Sequence, residues 1–154
     1  MRTKRAIALL MVLAPLAAGA ASDHEEEAHS AFLKGKYRVA IEQYERAGQP
    51  ALDTTARLEL ARSYLMNEEF GRATPLALEV LKSSPRNTDA LVIVGDAEAL
   101  QGHWHAAAER YAQAVASEKP RKEIWLSLGQ ALQYDGEPTM AELAFNAYSR
   151  MASP

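Results

Sequence analysis

Beyond residue 22, apolar positions recur every three to four residues, the interval at which side chains return to one face of a helix. No alternating Val/Ile/Thr run of useful length occurs, and no Asn-Gly or Asp-Gly turn joins strand-like segments. The polar breaks are of two kinds. Lys34-Gly35-Lys36, Asn67-Glu68-Glu69, Gln101-Gly102-His103 and Asp135-Gly136-Glu137 are short turns. Gly48-Gln49-Pro50, Ser83-Ser84-Pro85, Ser117-Glu118-Lys119-Pro120 and Ser153-Pro154 are closures ending in proline, which cannot continue a helix. The pattern predicts eight helices over 23–34, 37–47, 54–66, 70–82, 88–101, 104–117, 122–134 and 138–150. Short turns make neighbours antiparallel. A single hairpin buries too little apolar surface to stand alone, so the hairpins are expected to stack.

The polar breaks repeat, and so do the small residues. Ala73, Ala107 and Ala141 lie 34 residues apart, with Ala40 33 residues before the first. Tyr44, Tyr111 and Phe145 follow three of these alanines by four positions. Gly95 and Gly129 keep the 34-residue interval, with Ala61 and Ala28 at the matching places earlier. Several residue types recurring in phase mark stacked units, which present a surface rather than run a reaction. The small residues let two helix backbones approach closely. Tyr37, Phe70 and Trp104 are placed to fill the space beside each mid-unit turn, and Pro138 takes that place in the last unit, where it suits a helix start.

At these residues the chain resembles the tetratricopeptide repeat. Trp125, Leu128, Gly129, Leu132, Gly136, Ala141, Phe145 and Tyr148 form the clearest copy, and Leu91, Val94, Gly95, Gly102, Trp104, Ala107, Tyr111 and Ala114 the next. Leu60, Ala61, Tyr64, Phe70, Ala73, Val80 and Pro85 give a third copy, and Ala28, Gly35, Tyr37, Ala40, Tyr44 and Ala47 a degenerate first one. The resemblance covers residues 22–154, in repeats of about 22–53, 54–87, 88–121 and 122–154. It implies an all-α solenoid, a right-handed superhelix of about four hairpins, whose concave groove is lined by the first helix of each repeat. That groove would be lined by Glu25, His29 and Phe32, then Thr55, Leu58, Arg62 and Leu65. Asp89, Val92, Asp96 and Ala99 would follow, and then Glu123, Leu126, Gln130 and Gln133. The family is a general protein- and peptide-binding scaffold. Its chaperone-binding branch clamps a terminal carboxylate with Lys, Arg and Asn, whereas Glu25, His29, Asp89 and Glu123 make this groove acidic. The departure argues against a carboxylate clamp and for a partner segment carrying Lys or Arg. Many members carry a polar capping helix after the last repeat, and the resemblance leads us to expect none here, where the last repeat runs to Pro154. The helix bearing Met140, Leu143, Ala144, Ala147 and Met151 therefore offers a face for self-association into a homo-oligomer.

Charge sharpens this picture. The formal net charge is −3, but Arg2, Lys4 and Arg5 stand in the first five residues. Without the leader, 14 Lys and Arg face 20 Asp and Glu, a net −6. Nucleic acid and anionic lipid both need clustered positive charge, so neither is an expected partner. Residues 1–21 read as a signal peptide: a basic start, an apolar run from Ala6 to Ala18 broken only by Pro15, and small residues for cleavage after Ala20 or Ala21. That run is shorter than the ~20 residues a bilayer span needs, so the membrane enters only through the cleaved leader. The protein is expected to be exported, and periplasmic if the host is a Gram-negative bacterium. There is no cysteine, hence no disulfide and no lipid-modified cysteine.

Candidate chemistry is sparse. No cysteine nucleophile, Gly-rich phosphate loop, His-Glu-x-x-His or Gly-x-Ser-x-Gly is present, and neither an enzymatic activity nor a cofactor is expected. Glu25-Glu26-Glu27 reads as a helix start favoured by the dipole. His103 and His105, two residues apart, point to different helix faces. One alternative to the adaptor reading concerns His24. Cleavage after Ala21 would expose Ser22-Asp23-His24, a terminus able to wrap Cu(II) or Ni(II) in a nitrogen square plane.

Overall fold

The computed structural model describes residues 19–49, 52–117 and 120–152, and every regular element among them is an α-helix apart from one 3-10 residue at Gln49. The helices are α1 (19–33), α2 (Tyr37–Ala47), α3 (Thr54–Met66) and α4 (Phe70–Ser83). They continue with α5 (Thr88–Leu100), α6 (Trp104–Val115), α7 (Lys122–Tyr134) and α8 (Pro138–Ala152). The expected spans of α2, α3 and α7 coincide with the observed ones, and the remaining ends shift by a few residues. The largest shift is at α1, which is already helical at 19 rather than 23. Most of the proposed leader, 1–18, lies outside the described residues.

Two compact units divide the chain within α3, an amino-terminal one (Met1–Ser63) and a carboxy-terminal one (Tyr64–Pro154). In the carboxy-terminal unit, α4 to α8 pack each against the next in sequence. Their core joins Leu91 of α5, Ala107, Ala108, Tyr111 and Ala114 of α6, Ile124, Leu128 and Ala131 of α7, and Ala144 of α8. The repeated small residues are the points of closest approach. A Cβ added at Gly95 would meet Tyr111 Cε1 at 2.8 Å, and one at Gly129 would meet Phe145 Cε1 at 2.5 Å. Glycine is required there because the aromatic four residues after each repeated alanine lies across its backbone. In the amino-terminal unit Ala28, Ala40 and Tyr44 occupy the equivalent positions and are all buried.

All four mid-repeat turns use one hydrogen-bond pattern. Lys36, Glu69, His103 and Glu137 donate their backbone N–H to the carbonyls of Ala31, Tyr64, Glu98 and Leu132 at 2.8–2.9 Å. The residue before each, which adopts a left-handed conformation, donates to the carbonyl three residues earlier. This pairing is the Schellman motif, and it closes a helix best with glycine. Gly35, Gly102 and Gly136 meet that demand, whereas Glu68 takes the same conformation at φ 62°. The start of α3 is held by Asp53, whose Oδ1 accepts from the Ala56 N–H, and the start of α5 by Asn87, whose Oδ1 accepts from Ala90.

Candidate partner-binding clefts

The first helices of the repeats supply most of the lining of two clefts, with an aromatic from the second helix at the wall of each. In the amino-terminal unit, α1, α2 and the start of α3 enclose a cleft of about 280 Å³. Its lining holds four carboxylates, Glu25, Glu26, Asp53 and Glu59, together with Ser22, His29, Tyr44, Thr55 and Ala56. Glu59 organises it. Its Oε2 lies 2.9 Å from His29 Nδ1 and accepts a hydrogen bond from the Tyr44 hydroxyl. Tyr44 is almost fully buried, and burial first, then the bond to Glu59 and the nearby carboxylates, raise its pKa well above the ordinary tyrosine value. Its hydroxyl therefore stays a donor across the physiological range. Phe32 packs edge-on against Tyr37, with ring centroids 6.1 Å apart. Leu58 and Arg62 are half-buried.

The carboxy-terminal unit carries a cleft of about 400 Å³ with a different lining. Leu65, Met66, Ala99, Leu100, Trp104, Tyr111, Ala131 and Tyr134 supply apolar and aromatic surface, and Asp96, Ser127 and Gln130 the polar groups. Trp104 stacks on Tyr134, with centroids 4.5 Å apart and planes inclined by 24°. Asp96 Oδ1 accepts from the Tyr111 hydroxyl at 2.7 Å, and burial followed by this carboxylate raises the Tyr111 pKa. Beside the cleft, His105 Nδ1 lies 2.8 Å from Asp135 Oδ2. That bond, the Asp135 charge, and the charges of Glu109 and Glu137 raise the His105 pKa above its ordinary value.

The expected groove residues fall into distinct roles. Glu25, His29 and Thr55 line the acidic cleft, and Leu65, Asp96, Ala99 and Gln130 line the apolar one. Leu65 is only 4% exposed, so it forms wall rather than open surface. Asp89 is tied to Arg121 at 2.8 Å, which joins the first turn of α5 to the start of α7. Val92 is partly buried against the core. Leu126 is half-buried, while Glu123 and Gln133 are exposed. The periodicity did not single out Glu59, Met66, Leu100 or Tyr134. The 34-residue interval between Leu100 and Tyr134 was the available signal. His24 Nδ1 lies 2.8 Å from Gln43 Oε1, and residues 22–24 are helical. A square-planar metal terminus would therefore need both chain cleavage and unwinding of this turn. No group of three or more His, Asp or Glu side chains placed to hold a metal occurs among the described residues. Nor is any described helix long and apolar enough to cross a membrane.

Comparisons with known proteins agree with this architecture. The family profile described as tetratricopeptide repeat matches residues 58–104 and 95–154. No curated protein matches the sequence. Among solved structures, MamA MSR-1 (C2) is 19% identical with a TM-score of 0.73, over 83% of this chain and 74% of that one. TTC0263, a thermophilic protein of the same repeat class in Thermus thermophilus, is 20% identical with a TM-score of 0.69, over 84% and 73%. A further MamA structure is 17% identical with a TM-score of 0.58, over 84% and 90%. At these identities the likeness concerns the fold alone.

Proposed function

The chain belongs to the tetratricopeptide-repeat family, whose members are generally non-catalytic protein-binding scaffolds, and from that premise we propose that it is an exported adaptor. Its partner is an envelope protein that offers a Lys- or Arg-bearing segment, held during assembly, secretion or the building of a surface structure. The observation that carries this reading is the lining of the amino-terminal cleft, where Glu25, Glu26, Asp53 and Glu59 converge. Such a field orients a basic segment and speeds its capture more than it adds affinity. Export rests on the basic, then apolar, then small-residue order of residues 1–21, and the periplasm is the destination in a Gram-negative host. Mass spectrometry of the protein recovered from the envelope should find Ala21 or Ser22 as the first residue. Retention of Met1 would end the export claim.

The adaptor reading is tested by reversing charge. Glu25→Lys combined with Glu26→Lys should leave helicity intact and reduce capture of partners from an envelope extract, most of all at low salt. Equal recovery by the variant and the parent chain would remove this cleft from the binding surface.

A second reading rests on α8. Met140, Leu143 and Met151 are exposed there, while Ala144 is buried. This row gives the chain a face for pairing with a second copy. Sedimentation as a strict monomer at high concentration would dismiss it.

A further inference from the structure

Three large apolar side chains of α8 are exposed, Met140 at 53%, Leu143 at 60% and Met151 at 46%. Among the described residues no other helix exposes more than one. A single exposed apolar residue needs no explanation, whereas a row of them marks a contact surface. Spacings of three, four and four keep Met140, Leu143, Ala147 and Met151 on one face of the helix.

This row is not the face on which repeats stack. Ala108 of α6, one position after the repeated alanine, lies in the core shared with α7, and Val115, eight positions after it, packs against that core. The same positions of α8 are Glu142 and Ser149, both exposed. The side that a further repeat would cover is therefore polar, as the end of a stack requires. The apolar row occupies positions that are mostly charged or polar in the earlier repeats. Two and six places after the repeated alanine stand Glu42 and Arg46 in α2, which pair with each other. The matching residues are Pro75 and Glu79 in α4, and Glu109 and Gln113 in α6. In α8 they are Leu143 and Ala147. Met140 and Met151 likewise stand where α4 has Arg72 and Ser83.

The row fits a second copy of itself. Turned antiparallel about its midpoint, it brings Met140 of one copy opposite Met151 of the other and sets Leu143 over Ala147, a large side chain over a small one. The charges agree with that orientation. Glu137 and Glu142 stand at the amino end of α8 and Arg150 in its last turn. Antiparallel copies bring each end against its opposite, whereas parallel copies would set like against like. One basic residue in the whole helix is too few for an anionic lipid surface. We propose that two copies of the chain pair antiparallel through Met140, Leu143, Ala147 and Met151 of α8, forming a closed twofold dimer. The proposal rests on the second reading above and gives it an orientation and its contact residues. None of the four lines either cleft, so pairing and partner capture use different residues, and a dimer offers a partner two sets of clefts.

The chain has no cysteine, so introduced thiols read the orientation directly. Mature chains carrying Met140→Cys and Met151→Cys, mixed under oxidised glutathione, should give the mixed disulfide dimer, identified by the mass of its joined peptides. Either variant alone should give about tenfold less dimer, because like positions then lie about 16 Å apart along the helix axis. Sedimentation equilibrium of the mature chain should show monomer and dimer, and Leu143→Ser should raise the dissociation constant about tenfold or more. Leu78→Ser on α4 and Leu100→Ser in the apolar cleft should leave it unchanged, and circular dichroism of each variant verifies the fold. Cross-links that favour like positions would overturn the antiparallel dimer while leaving self-association standing. An effect of Leu100→Ser as large as that of Leu143→Ser would move the contact to the cleft and overturn it as well. A strict monomer at high concentration would remove both this proposal and the second reading, and would leave the adaptor untouched.

Discussion

The α1–α2 hairpin and the α7–α8 hairpin are built to one plan and bear different surfaces. Each has a small residue midway along its first helix, Ala28 or Gly129, and an alanine on its second, Ala40 or Ala141. Each has an aromatic four positions later, Tyr44 or Phe145, and a left-handed glycine in its turn, Gly35 or Gly136. In the first hairpin the aromatic carries a hydroxyl that donates to Glu59 at the edge of a cleft of carboxylates. In the last hairpin the aromatic carries none and lies against a glycine, and Tyr134 on the same hairpin stacks on Trp104 beside an apolar cleft. The repeated residues set the hairpin, and the residues between them set what the surface attracts.

The comparison breaks hardest at Gly129. A Cβ there would lie 2.5 Å from Phe145 Cε1, so Gly129→Leu forces the ring and helix apart and should cost about 3 kcal/mol. Ala28→Gly, at the matching place in the first hairpin, adds no clash and should cost about 1–2 kcal/mol, from backbone entropy and the loss of one buried methyl. Urea denaturation of the two variants checks the asymmetry. Equal losses would mean that the glycine–aromatic contact sets nothing special in the last hairpin.

Tyr44→Phe comes next. It makes the first hairpin's aromatic like the last one's and removes a donor from Glu59, a bond of the charged kind worth about 1.5–3 kcal/mol. The same residue governs alkaline stability. Its folded pKa is raised above the ordinary 10.0, so the stability it contributes is complete below that value and fades as pH climbs beyond it. Tyr111, raised in the same direction, adds to this loss. Denaturation midpoints should fall from pH 10 upward in the parent chain, and less steeply in Tyr44→Phe.

The hairpins were legible in the sequence because backbone demands recur. Turn glycines, the alanine after each turn and the aromatic one helical turn on are dictated by closure and close approach, and these return every 33 or 34 residues. The surface was legible only in part. Leu100 lies three residues after Ala97 and so fits the core-facing interval, and only its exposure separates it from its buried neighbours. Glu59 is one carboxylate among 20, and nothing local marks it as the acceptor shared by His29 and Tyr44. Asp89 was placed on the groove by its register, but its pairing with Arg121, 32 residues away, is a tertiary fact.

The second turn departs from the plan that the first and last share. Glu68 holds a left-handed conformation at φ 62° where the other three turns use glycine. A side chain in that region costs about 1–2 kcal/mol, partly offset by the greater freedom glycine has when unfolded. Glu68→Gly should therefore stabilise the chain by about 0.5–1 kcal/mol. A lower urea midpoint for this variant would mean that the Glu68 side chain does more at the turn than fill it.

The smallest effect probes the last turn through a proton. His105 faces Asp135 at 2.8 Å and Glu109 at 3.7 Å, with Glu137 nearby, and no Lys or Arg occurs from 123 to 149 to oppose them. Its pKa is raised from 6.5 by the bond to Asp135 first and by the carboxylate charges second. A raised folded value means the folded state holds the proton more tightly than the unfolded one. The resulting stability is complete below pH 6.5 and is lost as pH rises through the folded value. The side chain is 78% exposed, so solvent screens most of the effect and the readout is the titration itself. The His105 ring protons, followed by NMR, should titrate above pH 6.5, and Asp135→Asn should bring the midpoint down towards that value. An unchanged midpoint in Asp135→Asn would show that the general negative field around the last turn, rather than one bond across it, holds the proton there.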